Sequence, residues 1–214
     1  TDHLNALLPR NEVVDHGIRR EVPLYPEPAI RELIPNALIH QDFSITGSGP
    51  MIEVFSDRLE ITNPGEPLVK TERFLDSPPR SRNETLASFM RRLGVCEERG
   101  SGVDKVVAET ERYQLPAPLF ESPEGFTRAV LFTHRPLRQM DRTDRTRACY
   151  LHACLRYVER DPMTNSTLRA RLGISEPNKA MASRIISDAI KDGFVKPEDL
   201  QQGKKYAKYV PFWA

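Results

Sequence analysis

The chain has 214 residues, 39% of them hydrophobic, with 31 Lys and Arg against 30 Asp and Glu and a net charge of +1. That is enough apolar material for one or two packed domains, and too even a charge balance to name an acidic or basic partner for the whole chain. No run of about 18 apolar residues is present, which excludes a membrane-spanning helix, and the first residues do not read as a secretory signal.

The cysteines, Cys96, Cys149 and Cys154, are odd in number and lack C-x-x-C spacing. They argue against a disulfide framework or a zinc site and read as small thiols in a reducing cytoplasm. The chain opens on Thr1, and residues 1–24 show little periodicity. They are expected to form an N-terminal arm, the remnant of a longer protein, with one short strand within 13–22.

Residues 25–43, YPEPAIRELIPNALIHQDF, carry the strongest periodic signal. Ile30, Leu33, Ile34, Ala37 and Leu38 recur at i, i+3, i+4, i+7 and i+8, the apolar stripe of an amphipathic helix on a core. Prolines at its start are tolerated. Pro35, inside it, is expected to kink the helix at a cost of roughly 3 kcal/mol. Glu32, Asn36 and His40 recur at i, i+4 and i+8 and stack along a different face. An amide oxygen suits Mg²⁺, and a carboxylate one turn earlier can orient or deprotonate a water. Three solvated polar residues on an exposed face would show the same spacing.

A flexible Thr46–Pro50 loop follows. Met51–Ser56 and Leu59–Thr62 alternate around a tight turn at Ser56-Asp57-Arg58 and read as a β-hairpin. It runs into Asn63-Pro64-Gly65, which is turn chemistry on any fold. Residues 66–99 form a long proline-broken segment, the kind of loop that often serves as a cover. It holds a helix at Thr85–Leu93 with Leu86, Phe89, Met90 and Leu93 inward and Gly94 as its stop. Arg82, just before that helix, is a candidate phosphate contact, because guanidinium recognises phosphate oxygens. Gly100 and Gly102 precede a helical pattern through Val103, Val106, Val107 and Thr110, which turns backbone N–H groups toward the positive end of a helix dipole. Leu119–Glu121 and Phe126–Thr133 read as strands. The region to residue 134 is thus α+β, with helices on one face of a mixed sheet.

The E-x-x-x-N-A-x-x-H word at Glu32–His40 resembles the N-box of the GHKL ATPases, the superfamily of gyrase B, the Hsp90 chaperones, histidine kinases and MutL. In particular, residues 25–43 are similar to the ATP-binding region of RecG-like transcriptional regulators, Y-P-x-x-A-x-R-E-x-x-x-N-A-x-x-H-x-D-Y/F. Tyr25, Pro26, Ala29, Arg31, Glu32, Asn36, Ala37, His40, Asp42 and Phe43 fit that run; Pro35 departs from it, standing where relatives are aliphatic. The D-R-x-x-I-x-N-P-G run at 57–65, Arg82-Asn83, and the E-R-G-S-G-V run at Glu98–Val103 resemble three further motifs of this branch. In that family a different domain commonly precedes this region.

The resemblance implies a GHKL-like α/β sandwich over residues 25–134 that binds ATP with Mg²⁺. Asn36 would hold the metal, Glu32 would position water as the catalytic group, and His40 would orient Glu32 or Asn36 or close the helix. Asn63 and Gly65 would meet the base where relatives of the wider superfamily carry Asp-x-Gly. Arg82, Arg99, Gly100, Ser101 and Gly102 would surround the phosphates under a lid formed by the long segment. An amide at Asn63 offers both an acceptor and a donor, which leaves the base preference open. Weak Mg²⁺-dependent ATP hydrolysis is the activity this implies. No G-x-x-x-x-G-K-[ST] run exists, so the motor motifs of a helicase are absent.

Residues 135–146 crowd charges without apolar periodicity and read as a linker. Residues 147–214 then show three helical patterns, with Thr164 capping the second and Gly173 and Gly193 as stops. Short strand-like runs follow around a polar tip. Three helices, a short turn before the third and a basic-tipped hairpin resemble a winged helix-turn-helix. From Asp141 onward there are 14 Lys and Arg against 9 Asp and Glu, a net +5; the remainder has 17 against 21, a net −4. Basic charge thus concentrates where a DNA duplex would lie. Asn178, Lys179, Ser183 and Arg184 are expected on the recognition helix, and Lys204, Lys205 and Lys208 at phosphate from the wing.

Two functions compete on these residues. One is a cytoplasmic, homodimeric regulator whose DNA affinity depends on nucleotide. The other is a DNA-binding regulator whose ATPase-like domain serves only as a dimerisation or interaction scaffold.

Overall fold

The computed structural model describes residues 10–15, 18–78, 80–96, 102–199, 201, 203 and 207–214. The chain divides into two compact units, residues 1–113 with 118–134, and residues 114–117 with 135–214.

In the first unit, β1 (Arg10–Asp15) and β2 (Ile18–Pro23) pair antiparallel as a two-stranded sheet. Sequence reading expects one strand here. Charged residues fill this stretch in place of apolar alternation, so only the backbone pairing reveals the hairpin. Helix α1 (Glu27–His40) runs unbroken through Pro35, which is itself buried. The buried side is Ala29, Ile30, Leu33, Pro35, Ala37 and Ile39. Leu38, expected inward, is 37% exposed. The apolar stripe is therefore turned toward Pro35 and Ile39, one helical turn apart.

Strands β3 (Met51–Val54), β4 (Arg58–Pro64), β5 (Leu119–Glu121) and β6 (Phe126–Phe132) form one sheet in the order β3-β4-β6-β5. Every pairing is antiparallel, not mixed as expected, because hairpin connections link β3 to β4 and β5 to β6. Strand β4 continues through Asn63 and Pro64, opposite Thr127 and Phe126. The turn begins only at Gly65, whose φ of 107° is glycine territory.

Leu59 and Ile61 on β4 and Leu131 on β6 point to one face of the sheet. There they meet Ala29, Ile30, Leu33 and Ala37 of α1 and Val106 of α3 (Gly102–Arg112). Helix α2 (Glu84–Arg92) buries Ala87 and Met90 against Ile39. Phe89 and Leu93, expected inward, are 57% and 61% exposed. Leu86, Ala87 and Met90 form the side of α2 that packs on this core.

The second unit consists of α4 (Arg142–Val158), β7 (Met163–Thr164), α5 (Asn165–Leu172), α6 (Lys179–Lys191), β8 (Val195–Pro197) and β9 (Lys208–Pro211). Its three strands pair in the order β7-β9-β8. The stretch expected to be a linker contains a short 3₁₀ turn, Leu137–Gln139, and the first turn of α4. Its charges build that helix start. Asp141 accepts the N–H of Asp144 at 2.7 Å, and Asp144 pairs with Arg135 at 2.8 Å and Arg147 at 2.6 Å.

Thr164 caps α5 with a reciprocal bond to Thr167, and Gly173 closes it at φ 63°. The core holds Tyr150 against Phe194 and Phe212. Cys149 and Cys154 are buried, and burial pushes the Cys149 pKa up to about 12. No helix among the described residues is long and apolar enough to cross a membrane.

Candidate functional site

A cleft of about 220 Å³ opens in the first unit. This is somewhat under the roughly 300–1,000 Å³ usual for small-molecule pockets. Helix α1 lines it with Glu32, Asn36 and His40, and β4 and β6 line it with Ile61, Asn63, Thr127 and Ala129. Gly102, Val103, Phe120, residues 66–69, Phe74, residues 77, 78, 80 and 81, and Arg91 of α2 add to the lining.

The helical period places the polar column of α1 along the cleft, and Pro35 does not displace it. The Asn36 side-chain Nδ2 donates to Oε1 of Glu32 at 3.1 Å. That bond uses the amide's donor side and leaves Oδ1 as its acceptor side. The same carboxylate lies against the first residue of α3. A Cβ built on Gly102 would stand 1.8 Å from Oε1 of Glu32. Glu32 is thus seated at the positive end of the α3 dipole.

His40 closes the column. Its pKa lies below the ordinary imidazole value, first because of burial and then because Arg82 stands nearby. Arg82 itself sits at the C-terminal end of α1, and its side chain is not part of the cleft wall. Nε donates to the carbonyl of His40 at 3.1 Å and Nη2 to the carbonyl of Glu66 at 2.5 Å, with Asp42 at 3.4 Å. Asn83 donates to the carbonyls of Ile39 and Gln41, both at 2.8 Å. Together these two residues satisfy carbonyls that a helix end leaves without partners. The pair therefore ties the root of the long 66–96 segment to α1.

Gly65 belongs to the same junction and also lies outside the cleft wall. A Cβ there would meet Asp42 Cβ at 2.9 Å. Its carbonyl accepts the Thr127 hydroxyl at 2.7 Å, and its N–H donates to the Gly125 carbonyl at 2.9 Å.

Asn63 is 4% exposed and lines the cleft from a strand, not from the turn expected of it. Its Nδ2 donates to the Pro64 carbonyl at 3.2 Å, leaving the side-chain oxygen as its acceptor. Thr127 stands opposite it in the sheet register. Phe74 and Phe120, edge to face at 5.6 Å, give the cleft an aromatic wall beside Ile61 and Ala129.

The structure thus brings Glu32, Asn36, His40, Asn63 and Gly102 to one cleft and leaves Gly65 and Arg82 bracing it. Arg99, Gly100 and Ser101 lie outside the described residues. Thr127, Phe74, Phe120, Arg80 and Arg91 also line the cleft and were not singled out from sequence. Arg91, held by Glu84 at 2.8 Å, faces the cleft from α2. A basic residue one helical turn before an exposed glycine is too common a signal to have found it.

Among the described residues, no group of three or more His, Cys, Asp or Glu is placed to hold a metal ion. Mg²⁺ on a polyphosphate does not need one, since one or two protein oxygens, the phosphates and waters complete its shell. The Asn36 oxygen beside the Glu32 carboxylate is such a donor set.

In the second unit, Asn178, Lys179, Ser183 and Arg184 are exposed at the start of α6, and Lys208 is exposed on β9. Ser183 accepts from the side chain of Asn165 at 3.0 Å. Lys204 and Lys205 lie outside the described residues.

Residues 47–131 match the sequence model of a family described as "Putative ATP-dependent DNA helicase recG C-terminal". This supports an ATPase-like domain in the first unit; the α1 column precedes the matched stretch. No curated protein matches the chain. Among solved structures, it is similar to the DIP2311 protein from Corynebacterium diphtheriae, with a TM-score of 0.59 and 23% identity. The likeness covers 87% of this chain and 39% of that one, and at this identity it concerns the fold.

Proposed function

We propose that the first unit binds an adenine nucleotide with Mg²⁺, and that the second is a winged helix-turn-helix whose grip on DNA depends on that nucleotide. One observation carries the nucleotide reading. Glu32 and Asn36 are bonded to each other at 3.1 Å in the wall of a cleft, so the amide's donor is engaged and its oxygen is left as a hard metal ligand. Arg80 and Arg91 supply positive charge for phosphates. Asn63, with its donor on a backbone carbonyl, offers an acceptor suited to a purine amino group, and the Phe74–Phe120 wall supplies apolar contact for the ring.

Mg²⁺, when bound, neutralises phosphate charge. Glu32 would orient the water for slow hydrolysis, and catalysis of this kind is largely positioning. His40, kept neutral by burial, fits an orienting role better than that of a charged phosphate ligand.

The DNA reading is supported by the element order α4-β7-α5-α6-β8-β9, the β7-β9-β8 sheet, the exposed α6 start and the +5 charge beyond residue 140. Homodimer formation is part of the same proposal. Strand β3 is a sheet edge with Met51, Ile52 and Val54 exposed, and open edges of that kind invite pairing.

Thermal unfolding with and without Mg-ATP tests the nucleotide reading. At 100-fold excess over Kd the chain gains about 2.7 kcal/mol, and Asn36→Ala removes most of that gain. No shift at millimolar ATP would leave the scaffold reading in its place. Duplex binding followed by anisotropy tests the other half: Lys179→Ala/Arg184→Ala should weaken binding and flatten its salt dependence.

A further inference from the structure

Gly102 begins α3 and borders the cleft. Its φ lies outside the left-handed region that demands glycine. Backbone conformation is therefore no reason for glycine here. The reason is space. The three atoms nearest to a Cβ at this position all belong to Glu32: Oε1 at 1.8 Å, Cδ at 2.5 Å and Cγ at 3.0 Å. A side chain here would push the Glu32 carboxylate, the end of a flexible side chain, out of this place. The oxygen that touches Gly102 is also the one that accepts the Asn36 amide at 3.1 Å.

We infer that Gly102 is a positioning residue for Glu32: the missing side chain is the seat that holds the carboxylate between the first turn of α3 and the amide of Asn36. The inference rests on the nucleotide reading for its catalytic consequence, though not for its geometry. One residue thus sets two others. With Glu32 seated, Asn36 is held with its donor inward and its oxygen as the outward acceptor. With Glu32 displaced, both lose their orientation.

A double-mutant cycle of Gly102→Ala and Glu32→Ala tests this. In ligand-free thermal unfolding, Gly102→Ala should lower Tm in the Glu32 protein. In the Glu32→Ala background the same change should leave Tm level or raise it, since alanine favours helix. In Mg-ATP turnover, Gly102→Ala should lower kcat by about 100-fold, the scale of a misplaced reacting group, and raise KM, because Asn36 loses its orientation together with Glu32. It should add nothing to Glu32→Ala. Equal Tm losses in both backgrounds, or an unchanged kcat, would overturn the assignment. Should Gly102→Ala alone not fold, the double variant decides: it folds if the carboxylate is the only obstacle, and its failure to fold refutes the seat. A native chain that neither binds nor turns over Mg-ATP sinks the nucleotide reading, and the Tm cycle still judges the seat.

Discussion

The two units differ in how much of their polar bonding stays within a single helical turn. Around the cleft, partners lie far apart in the chain: Arg82 with the carbonyls of His40 and Glu66, Asn83 with Ile39 and Gln41, Thr127 with Gly65. In the second unit many of the bonds span a single helical turn: Asp144 with Arg147, Arg156 with Glu159, Thr164 with Thr167, Arg169 with Asn165. The first arrangement holds a gap open by bracing its rim from several segments. The second relies more on bonds within a helical turn, alongside ties between elements such as Arg142 with Asp192 and Asn165 with Ser183. A substitution at the rim should therefore reshape the cleft, whereas one at a helix cap of the second unit should change stability and leave the cleft as it is.

The largest effects test the two interiors against each other. Ile30 under the cleft and Leu168 in α5 are both fully buried. Truncation of either to alanine should cost about 2–5 kcal/mol in urea unfolding. Leu168→Ala should shift the fluorescence transition of Trp213, which packs edge to face on Tyr157 at 5.3 Å. A markedly smaller loss for Ile30→Ala would mean that the core beside the cleft collapses to fill space, which a braced gap should prevent.

Next come the polar contacts. Arg82→Ala removes charge-assisted bonds to two carbonyls and should cost roughly 1.5–3 kcal/mol. The same change should weaken nucleotide binding although Arg82 is not in the cleft wall. Thr164→Ala removes a local cap and should cost about 1 kcal/mol, with no change in nucleotide binding. Arg156→Ala, at a half-buried arginine paired with the exposed Glu159 and Asp161, should cost about 1 kcal/mol. Equal effects of Arg82→Ala and Thr164→Ala on nucleotide binding would erase the contrast between the units.

The same contrast explains what could be read from the sequence. Thr164, Gly173 and the Glu32–Asn36–His40 column were legible because caps and helical periods are local rules. The rotation of the α1 stripe was not, since Pro35 and Ile39 become core only through their packing on neighbouring elements. Phe89 and Leu93 satisfied a helical pattern but had nothing to pack against. Asn63 looked like turn chemistry because strand pairing with Thr127, 64 positions on, cannot be read from three residues. Thr127, Phe74 and Arg91 reach the cleft from three different segments, and none carries a signal of its own. Gly102 stood out as a phosphate loop glycine; that Glu32 fills its empty side emerges only when α1 and α3 are packed together.

The smallest effect is a tilt in stability with pH, and it links the rim to the column. His40 holds its folded pKa below 6.5, through burial first and Arg82 second. Above pH 6.5 the imidazole is neutral in both folded and unfolded chains, and the full stability is present. As pH falls below 6.5 the unfolded chain takes up a proton that the folded chain refuses, so stability declines. The decline ends once pH passes the folded pKa, where both states are charged. His40→Gln should remove that slope between pH 6.5 and the onset of carboxylate titration, measured by urea midpoints at closely spaced pH. Arg82→Ala should lessen it without abolishing it, because burial remains. A slope untouched by either variant would mean that the imidazole is solvated, and that the column ends at Asn36.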